Sequence, residues 1–284
     1  MEALLGKPVA DKITTDLIKD VNALKEKGIT PKLTIIRVGN KEDDISYEKA
    51  ALKRCKDIGI HVDVKVFEKD ITEEKFIENI KNVNEDKLTH AILVLRPLPK
   101  HINEDKIKHI ISPNKDVDCF NTINLGKLLE GDKSGFSPCT PLAVIELLKY
   151  YNIDLESKNV VVLGRSNVVG KPLSILLLNE NATVTICHSK TKNLSGITKT
   201  ADILVCAVGK AKMINKDFIK NGAIVIDVGI NVDEKGKLCG DVDYDSCIEK
   251  ACMITPVPRG VGSVTTSILA KNIIKATKIN ENII

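Results

Sequence analysis

The residues with the clearest chemical potential form one glycine-bounded turn. Residues 164–172 read Gly-Arg-Ser-Asn-Val-Val-Gly-Lys-Pro and follow an apolar run at 159–163. The run predicts a buried parallel strand, and Pro172 suits the first turn of a helix. A helix N-terminus offers free N–H groups to a phosphate. Arg165 and Ser166 would add a guanidinium and a hydroxyl for an extra phosphate, such as the ribose 2′-phosphate of NADP.

The spacing within this turn leaves a second interpretation open. Gly164 and Gly170 are spaced as G-x5-G rather than G-x-G-x-x-G, so spacing alone predicts a strand, a turn and a helix without any ligand. Ser189 follows the predicted strand 183–187, where a second phosphate or ribose contact is expected. A polar residue in an ordinary loop is an equal alternative for Ser189.

Two other predicted strands end in glycine. Residues 207–209 read Ala-Val-Gly and residues 227–230 read Asp-Val-Gly-Ile. Glycine at a strand end permits close approach of the backbone to a flat ligand. Asp227 has a second interpretation, as a residue that caps a loop.

Charge and composition exclude several classes of protein. The net charge of +4 is interleaved, and no basic block is mixed with aromatic residues, so nucleic-acid binding is not expected. No apolar run has transmembrane length and no signal-peptide pattern is present, so we expect a cytoplasmic protein without membrane contact. Eight cysteines without a C-x-x-C pair predict free thiols rather than a metal site or a disulfide framework.

Periodicity in the first half predicts a helix followed by a β-α-β-α-β unit, whose order implies parallel strands. The predicted segments are helix 8–27, strand 33–39, helix 44–58, strand 61–67, helix 72–83 and strand 91–95. Residues 111–140 are less regular.

The second half predicts a further α/β unit. Its segments are helix 141–151, strands 159–163, 183–187, 202–206, 223–228 and 252–255, and helix 264–277. The prediction is therefore an α/β protein of two domains with parallel sheets. We assign 1–140 to an N-terminal domain and 141–264 to a C-terminal Rossmann-like domain. Residues 265–284 are expected to pack back on the first domain.

Two positions in the first half could contact a substrate. Tyr47, Ala51 and Arg54 share one face of the predicted helix, whereas Lys49 and Lys53 point away from it. A carboxylate at Asp118 could accept hydrogen bonds from an amino-pyrimidine-like ring. On spacing alone, a solvated turn is the stronger interpretation of Asp118.

Taken in order, several motifs resemble one enzyme family over nearly the whole chain. The motifs are Val38-Gly39 with Tyr47, Pro97-Leu98-Pro99, Lys115-Asp116-Val117-Asp118, Pro138-Cys139-Thr140-Pro141, the turn 164–172, Ile226-Asp227-Val228-Gly229-Ile230-Asn231, Gly240-Asp241-Val242 and Thr255-Pro256-Val257-Pro258. The chain resembles the bifunctional methylenetetrahydrofolate dehydrogenase/methenyltetrahydrofolate cyclohydrolase family of the FolD type.

This resemblance implies two α/β domains around a cleft that holds a tetrahydrofolate derivative, with NADP on the C-terminal domain and a homodimer formed through it. It implies oxidation of 5,10-methylenetetrahydrofolate to the methenyl compound, followed by hydrolysis to 10-formyltetrahydrofolate. These reactions belong to one-carbon metabolism and purine biosynthesis, and the resemblance implies no metal.

The resemblance also implies roles for individual residues. Tyr47 and Asp118 would be catalytic, with Tyr47 on the folate and Asp118 on its pterin ring. The implied substrate-binding residues are Tyr47, Leu95, Pro97, Leu98, Asp118, Pro258 and Arg259. The implied cofactor-binding residues are Gly164, Arg165, Ser166, Val169, Gly170, Ser189, Ala207, Val208, Gly209, Gly229 and Ile230.

The chain departs from the family pattern at the hydrolytic positions. The family's lysine in Tyr-x-x-x-Lys is Ala51 here, and its glutamine before the Pro-Leu-Pro loop is Leu95. Because a methyl group cannot relay a proton, we expect dehydrogenase activity to survive and cyclohydrolase activity to be weak or absent.

Other departures lie outside that pair. The family's serine before Tyr47 is Asp44, and two family glycines are Cys119 and Arg259. The family's proline five residues after Pro258 is replaced by Ser263. Two alternatives stay open: a fully bifunctional enzyme helped by Arg54, and a non-catalytic folate- or nucleotide-binding paralogue in which Arg259 blocks the cleft.

Overall fold

Parallel strands alternating with helices make up most of the chain, which confirms the α/β fold class. A computed structural model describes residues 1–284. Its strands are β1 (Glu2–Ala3), β2 (Lys32–Val38), β3 (His61–Phe67), β4 (Ala91–Val94), β5 (Asn159–Leu163), β6 (Thr183–Cys187), β7 (Ile203–Cys206), β8 (Ile224–Asp227), β9 (Asn231–Val232), β10 (Leu238–Cys239) and β11 (Met253–Ile254). Its helices are α1 (Gly6–Glu26), α2 (Glu42–Ile58), α3 (Glu73–Glu85), α4 (Glu104–Ile110), α5 (Thr122–Glu130), α6 (Cys139–Tyr150), α7 (Gly170–Asn179), α8 (Leu194–Thr198), α9 (Tyr244–Cys247) and α10 (Gly262–Asn280).

The chain divides into two compact units. One unit contains Met1–Asp11 and Pro138–Thr265, and the other contains Lys12–Ser137 and Thr266–Ile284. The sequence-based division placed the first eleven residues with the N-terminal half. They lie instead with residues 138–265, because β1 pairs in parallel with β11 at the edge of that unit's sheet.

The unit containing residues 138–265 is built on a six-stranded sheet. The strand order is β1-β11-β8-β7-β5-β6, and every pair is parallel. From β6 across to β11 this is the doubly wound order 2-1-3-4-5, whose crossovers reverse direction between β5 and β7. Ligands in such sheets bind outside the carboxyl ends of the strands at that point. Valines and leucines of these strands form a buried core, including Val161, Leu204 and Val225.

The unit containing residues 12–137 has a three-stranded parallel sheet of order β3-β2-β4. A single parallel bridge joins Ile92 of β4 to Asp116 and so brings residues 115–118 alongside the sheet. The strands bury Ile36 and Ile92 against α3 residues such as Phe76 and Ile80.

The irregular segment predicted at 111–140 contains a helix that periodicity missed. Helix α5 begins after Asn121, whose side chain accepts a hydrogen bond from the N–H of Ile123. It ends at Gly131, which is in the left-handed conformation. Both are ordinary helix-boundary signals, but the helix is only nine residues long.

All eight cysteines are free thiols; seven are buried and Cys252 is exposed. None of the helices combines the length and the apolar character needed to cross a membrane.

Candidate active site

The glycine turn after β5 is closely packed at the predicted ligand-binding edge of the sheet. Gly164 has a φ of 120°, and a Cβ there would lie 2.2 Å from the carbonyl oxygen of Ala207 on the neighbouring strand end. A Cβ on Gly170 would lie 2.1 Å from the carbonyl oxygen of Gly164. No side chain fits at either position: Gly170 lets the start of α7 contact the end of β5, and Gly164 lets the end of β5 contact the end of β7.

Within this turn, Ser166 and Arg165 are exposed at the start of α7. The Ser166 hydroxyl oxygen accepts hydrogen bonds from the N–H groups of Val169 at 3.0 Å and Gly170 at 3.4 Å. Because the oxygen is the acceptor, the hydroxyl proton remains able to donate to a ligand. Ser189 is exposed just beyond the end of β6, at the same edge of the sheet.

A buried carboxylate holds the loop that follows β7. Asp241 accepts hydrogen bonds from the backbone N–H groups of Val208 at 2.6 Å, Gly209 at 3.2 Å and Lys210 at 2.8 Å. It also accepts one from the side-chain amide of Asn231 at 2.9 Å. Four donors on one anion fix the predicted cofactor-binding residues 207–209.

Asp227 holds the loop at the end of β8 in the same way, by accepting backbone hydrogen bonds. Its carboxylate accepts hydrogen bonds from the N–H groups of Gly229, Asp241 and Val242, at 2.9 to 3.0 Å. The loop-cap interpretation of Asp227 is therefore the one that the structure supports. Burial raises the pKa of Asp227 to about 7, against the effect of these donors, which lower it.

The loops after β8 and β11 enclose a pocket of about 270 Å³. It is lined by Leu238 and by residues 227–230 and 256–263. The predicted site residues Gly229, Ile230, Pro258 and Arg259 are thus brought together. Ile230 and Arg259 are exposed at this pocket, so an apolar and a cationic side chain are both available to a ligand.

In the other unit, a half-buried arginine connects Asp118 to an aromatic ring. Arg96 follows β4, and its Nη2 lies 3.7 Å from an Asp118 oxygen. Its guanidinium carbon lies 4.2 Å from the ring centroid of Phe120. Asp118 therefore lies in a turn, as spacing favoured, but its half-buried carboxylate pairs with Arg96 and is not fully solvated.

Asp116 holds the loop that carries Asp118. It is buried and accepts hydrogen bonds from the N–H groups of Phe120 and Asn121, both at 2.9 Å, and from the Asn124 amide at 2.8 Å. Burial raises the pKa of Asp116, while these three hydrogen bonds lower it. Asn272 of α10 donates at 2.8 Å to the carbonyl of Val117.

Ala51 of α2 and Leu95, which follows β4, are both buried. Lys49 and Lys53 are exposed, as the helix geometry predicted, and Lys53 pairs with Asp57 at 2.7 Å. Arg54, which we considered as a replacement cation, donates to the Thr14 hydroxyl at 2.8 Å.

The loop after β4 also contains predicted substrate contacts. Pro97 is exposed, and its carbonyl accepts a hydrogen bond from Lys41, whereas Leu98 is buried. Tyr47, on α2, is partly exposed.

Comparison with known proteins bears on both units. Residues 4–118 match the family model described as the catalytic domain of tetrahydrofolate dehydrogenase/cyclohydrolase, and residues 138–281 match that of its NAD(P)-binding domain. The chain belongs to the tetrahydrofolate dehydrogenase/cyclohydrolase family. The resemblance read from the motifs is therefore confirmed.

Individual members are similar over their full length. The chain is 62% identical over 281 residues to the bifunctional protein FolD of Clostridioides difficile (strain 630), covering 99% of this chain and 98% of that protein. A solved FolD enzyme from Campylobacter jejuni has a TM-score of 0.96 at 44% identity, covering 98% of this chain and 99% of its own. The Trypanosoma brucei enzyme, solved with an NADP cofactor and an inhibitor, has a TM-score of 0.93 at 36% identity, covering 98% and 97%.

Two departures from the family pattern keep a backbone that suits glycine. Cys119 has a φ of 55° and Arg259 a φ of 88°, both in the left-handed region that non-glycine residues seldom adopt. Burial raises the pKa of the Cys119 thiol, so it is not a ready nucleophile. Arg259 is exposed, so its guanidinium reaches solvent or a ligand.

Sequence reasoning missed several residues that organise these loops. Asp116 and Asp241 were seen only as parts of motifs and were given no role, and Arg96 was not singled out. The partners of Arg96 and the backbone donors to Asp241 are more than twenty residues away, so spacing does not pair them. The donors to Asp116 are four to eight residues away, but they lie in a segment without a periodic signal.

Proposed function

We propose that this chain catalyses the NADP-dependent oxidation of 5,10-methylenetetrahydrofolate to 5,10-methenyltetrahydrofolate. The observation that carries the proposal is the closely packed turn at Gly164 and Gly170, with Arg165 and Ser166 exposed beside the β5/β7 reversal point, in a chain of this family. The substrate is inferred from a relative: the C. jejuni enzyme is called a methylenetetrahydrofolate dehydrogenase/cyclohydrolase.

The residues after β5 fit a phosphorylated dinucleotide. Close packing at Gly164 and Gly170 brings the N-terminus of α7 to the ligand-binding edge of the sheet, where the positive end of the helix dipole would favour a pyrophosphate. Arg165 can hold a ribose 2′-phosphate in a charge-assisted pair, with the hydroxyls of Ser166 and Ser189 donating to phosphate oxygens. Backbone at Ala207–Gly209 and Gly229–Ile230, held by Asp241 and Asp227, would support the flat rings. When bound, NADP supplies the hydride acceptor.

The residues around Asp118 suit a reduced pterin. A carboxylate beside the ring can accept hydrogen bonds from an amino-pyrimidine edge, and Arg96 holds that carboxylate at 3.7 Å. Tyr47, Leu95, Pro97 and Leu98 would contact the folate from α2 and the loop after β4. Hydride transfer needs mainly positioning of the two bound molecules, so it does not depend on a proton relay at position 51.

Hydrolysis of the methenyl product, unlike hydride transfer, needs a side chain that can hold or move a proton. The two positions where the family carries lysine and glutamine hold a buried methyl and a buried isobutyl group, and neither can hold or move a proton. We propose that this second reaction is slow or absent. The competing candidate keeps both activities, and the name of the C. difficile relative, bifunctional protein FolD, favours it.

A coupled assay tests the main proposal. Purified protein is mixed with NADP and 5,10-methylenetetrahydrofolate, and the reduced cofactor and the methenyl absorbance are followed together. We expect both to rise in equal amounts. Failure to bind either nicotinamide dinucleotide in calorimetry would contradict the proposal.

Removing the guanidinium at position 165 should relax the choice of cofactor. In Arg165→Gln we expect kcat/KM for NADP to fall about 10- to 100-fold, since a charge-assisted hydrogen bond contributes about 1.5–3 kcal/mol. The value for NAD should change little, because NAD lacks the 2′-phosphate. The ratio of the two kcat/KM values is the measurement.

The matched control is Lys158→Gln, which removes the same charge from an exposed residue just before β5, at the other end of that strand. It should leave the ratio unchanged. An equal loss for both cofactors in Arg165→Gln would show that Arg165 does not contact the 2′-phosphate.

Arg96 should matter to the folate and not to the cofactor. In Arg96→Gln, Asp118 loses its ion-pair partner and Phe120 loses the stacked guanidinium, which together contribute about 1–2 kcal/mol of interaction free energy. We expect KM for methylenetetrahydrofolate to rise about tenfold, with KM for NADP unchanged. Lys100→Gln, at an exposed residue of the same loop, is the control. An unaltered folate KM in Arg96→Gln would remove Arg96 from the site.

We also propose a cytoplasmic homodimer. Free thiols in a largely buried setting suit a reducing compartment. The short hairpin of β9 and β10 exposes Val232 and Leu238 as a cross-strand pair, and edge strand β6 exposes Ile186. These exposed apolar groups favour a dimer interface on this unit. Light scattering would measure the molar mass in solution and so test for a dimer.

A further inference from the structure

A buried ion pair links strand β2 to helix α2. The Arg37 Nε lies 2.8 Å from a Glu48 carboxylate oxygen, and both side chains are about nine-tenths buried. The same guanidinium donates through Nη1 to the carbonyl of Gly39 and, at 3.0 Å, to the side-chain oxygen of Asn40. One side chain therefore joins the strand, the turn after it and the second turn of the helix.

This pair lies next to the positions proposed to contact folate. Glu48 directly follows Tyr47, and it shares the buried face of α2 with Ala51, three residues later. On the sheet side, the N–H of Leu95 donates at 2.9 Å to the carbonyl of Ile36, so the chain at Leu95 lies beside the end of β2 that carries Arg37. The ion pair therefore joins the helix that carries Tyr47 and Ala51 to the end of β2 that lies beside Leu95.

A buried ion pair is not the most stable way to fill this space. Desolvation of two charges can offset their attraction, and apolar residues of similar volume often give equal or better stability. What an apolar pair cannot do is specify one arrangement of the helix on the sheet. Arg37 does so through directed hydrogen bonds to three separate acceptors, which fix both the helix rotation and the preceding turn.

We propose that Arg37 and Glu48 are positioning residues for Tyr47, holding α2 in the rotation at which Tyr47 contacts tetrahydrofolate. This inference rests on the proposed function, because it takes Tyr47 as a folate contact. With no lysine or glutamine at 51 and 95, the Arg37–Glu48 pair is the polar link between α2 and the end of β2 at this site.

The test replaces the pair with apolar residues, so that no charge is left buried alone. In the double variant Arg37→Met with Glu48→Leu, we expect a Tm within a few degrees of the parent. The dissociation constant for tetrahydrofolate, measured by calorimetry, should rise about tenfold, and that for NADP should stay the same. In a Tyr47→Ala background the same double change should weaken tetrahydrofolate binding less than about twofold, because the contact that it positions is already gone.

Glu48→Gln is the second variant, and it decides the matter if the double variant does not fold. It keeps a hydrogen-bond acceptor but no charge, and we expect an increase of at least threefold in the tetrahydrofolate dissociation constant. Asp57→Asn, which breaks the exposed pair with Lys53 on the same helix, should change nothing.

Two outcomes would overturn the inference. One is unaltered tetrahydrofolate binding in whichever of these variants folds, and the other is an effect of the same size with and without Tyr47. If the parent protein itself bound no tetrahydrofolate, the proposed function would fail first, which separates the two results.

Discussion

Replacing Ala51 by lysine, together with Leu95 by glutamine, is expected to raise the rate of methenyltetrahydrofolate hydrolysis by a factor of about 10² or more. That range is what a positioned general acid or base typically contributes. Both sites are buried, and burial disfavours the charged form of an amine. The introduced lysine would therefore titrate closer to neutral pH, where it can exchange a proton. Enzyme-dependent decay of methenyl absorbance, without NADP, is the measurement.

Ala50→Lys is the matched control. It adds the same side chain to the same helix one residue earlier, at an exposed position. It should leave hydrolysis at the parent rate, whereas a gain equal to that of the double variant would show a non-specific effect of charge.

Two results would count against the loss of hydrolysis. Rapid decay of the methenyl compound with the unmodified chain would establish the bifunctional alternative directly. An Ala51→Lys, Leu95→Gln variant that keeps full dehydrogenase activity but shows no faster hydrolysis would show that positions 51 and 95 do not control the second reaction. Retained dehydrogenase activity is needed in this comparison, because adding a long side chain to a packed site costs about 1–3 kcal/mol.

Local signals in the sequence were sufficient for the elements that carry the cofactor site. The apolar run at 159–163 and the glycine after it predicted β5 and the following turn, and both are present. These features depend on neighbouring residues, which is why they can be read along the chain. The order of the strands in the sheet depends on pairings between distant residues. Two-residue β1 carries no periodic signal, and its place beside β11 was not predictable.

Buried charges mark the limit of sequence reasoning in both units. Nothing in the sequence marks Asp116, Asp241 or Glu48 as buried, because charged side chains are rarely buried without partners. Each is buried because the fold brings donors to it, from loops up to 33 residues away in the case of Asp241. The same limit applied to Asp118: its place in a turn could be predicted from the sequence, but its pairing with Arg96 could not.

Loss of the Asp241 carboxylate should be among the most damaging single changes in the cofactor-binding unit. Asp241→Asn keeps the shape but turns an –NH₂ group toward backbone N–H donors that now share one acceptor oxygen. Donors left unsatisfied in a buried site cost about 1–3 kcal/mol each. We therefore expect the free energy of unfolding to fall by about 3 kcal/mol or more, measured by urea denaturation.

The same change should weaken NADP binding more than tetrahydrofolate binding. The loop at residues 207–209 and Asn231 both lose their hydrogen bonds to the Asp241 carboxylate. Residues 207–209 are the ones proposed to support the cofactor rings. Asp233→Asn is the control, since Asp233 also accepts backbone N–H groups, from Lys235 and Lys237, but in an exposed turn where water can replace it. If the Asp241 and Asp233 variants unfolded at the same urea concentration and bound NADP equally well, the buried carboxylate would have no special part in holding the cofactor loops.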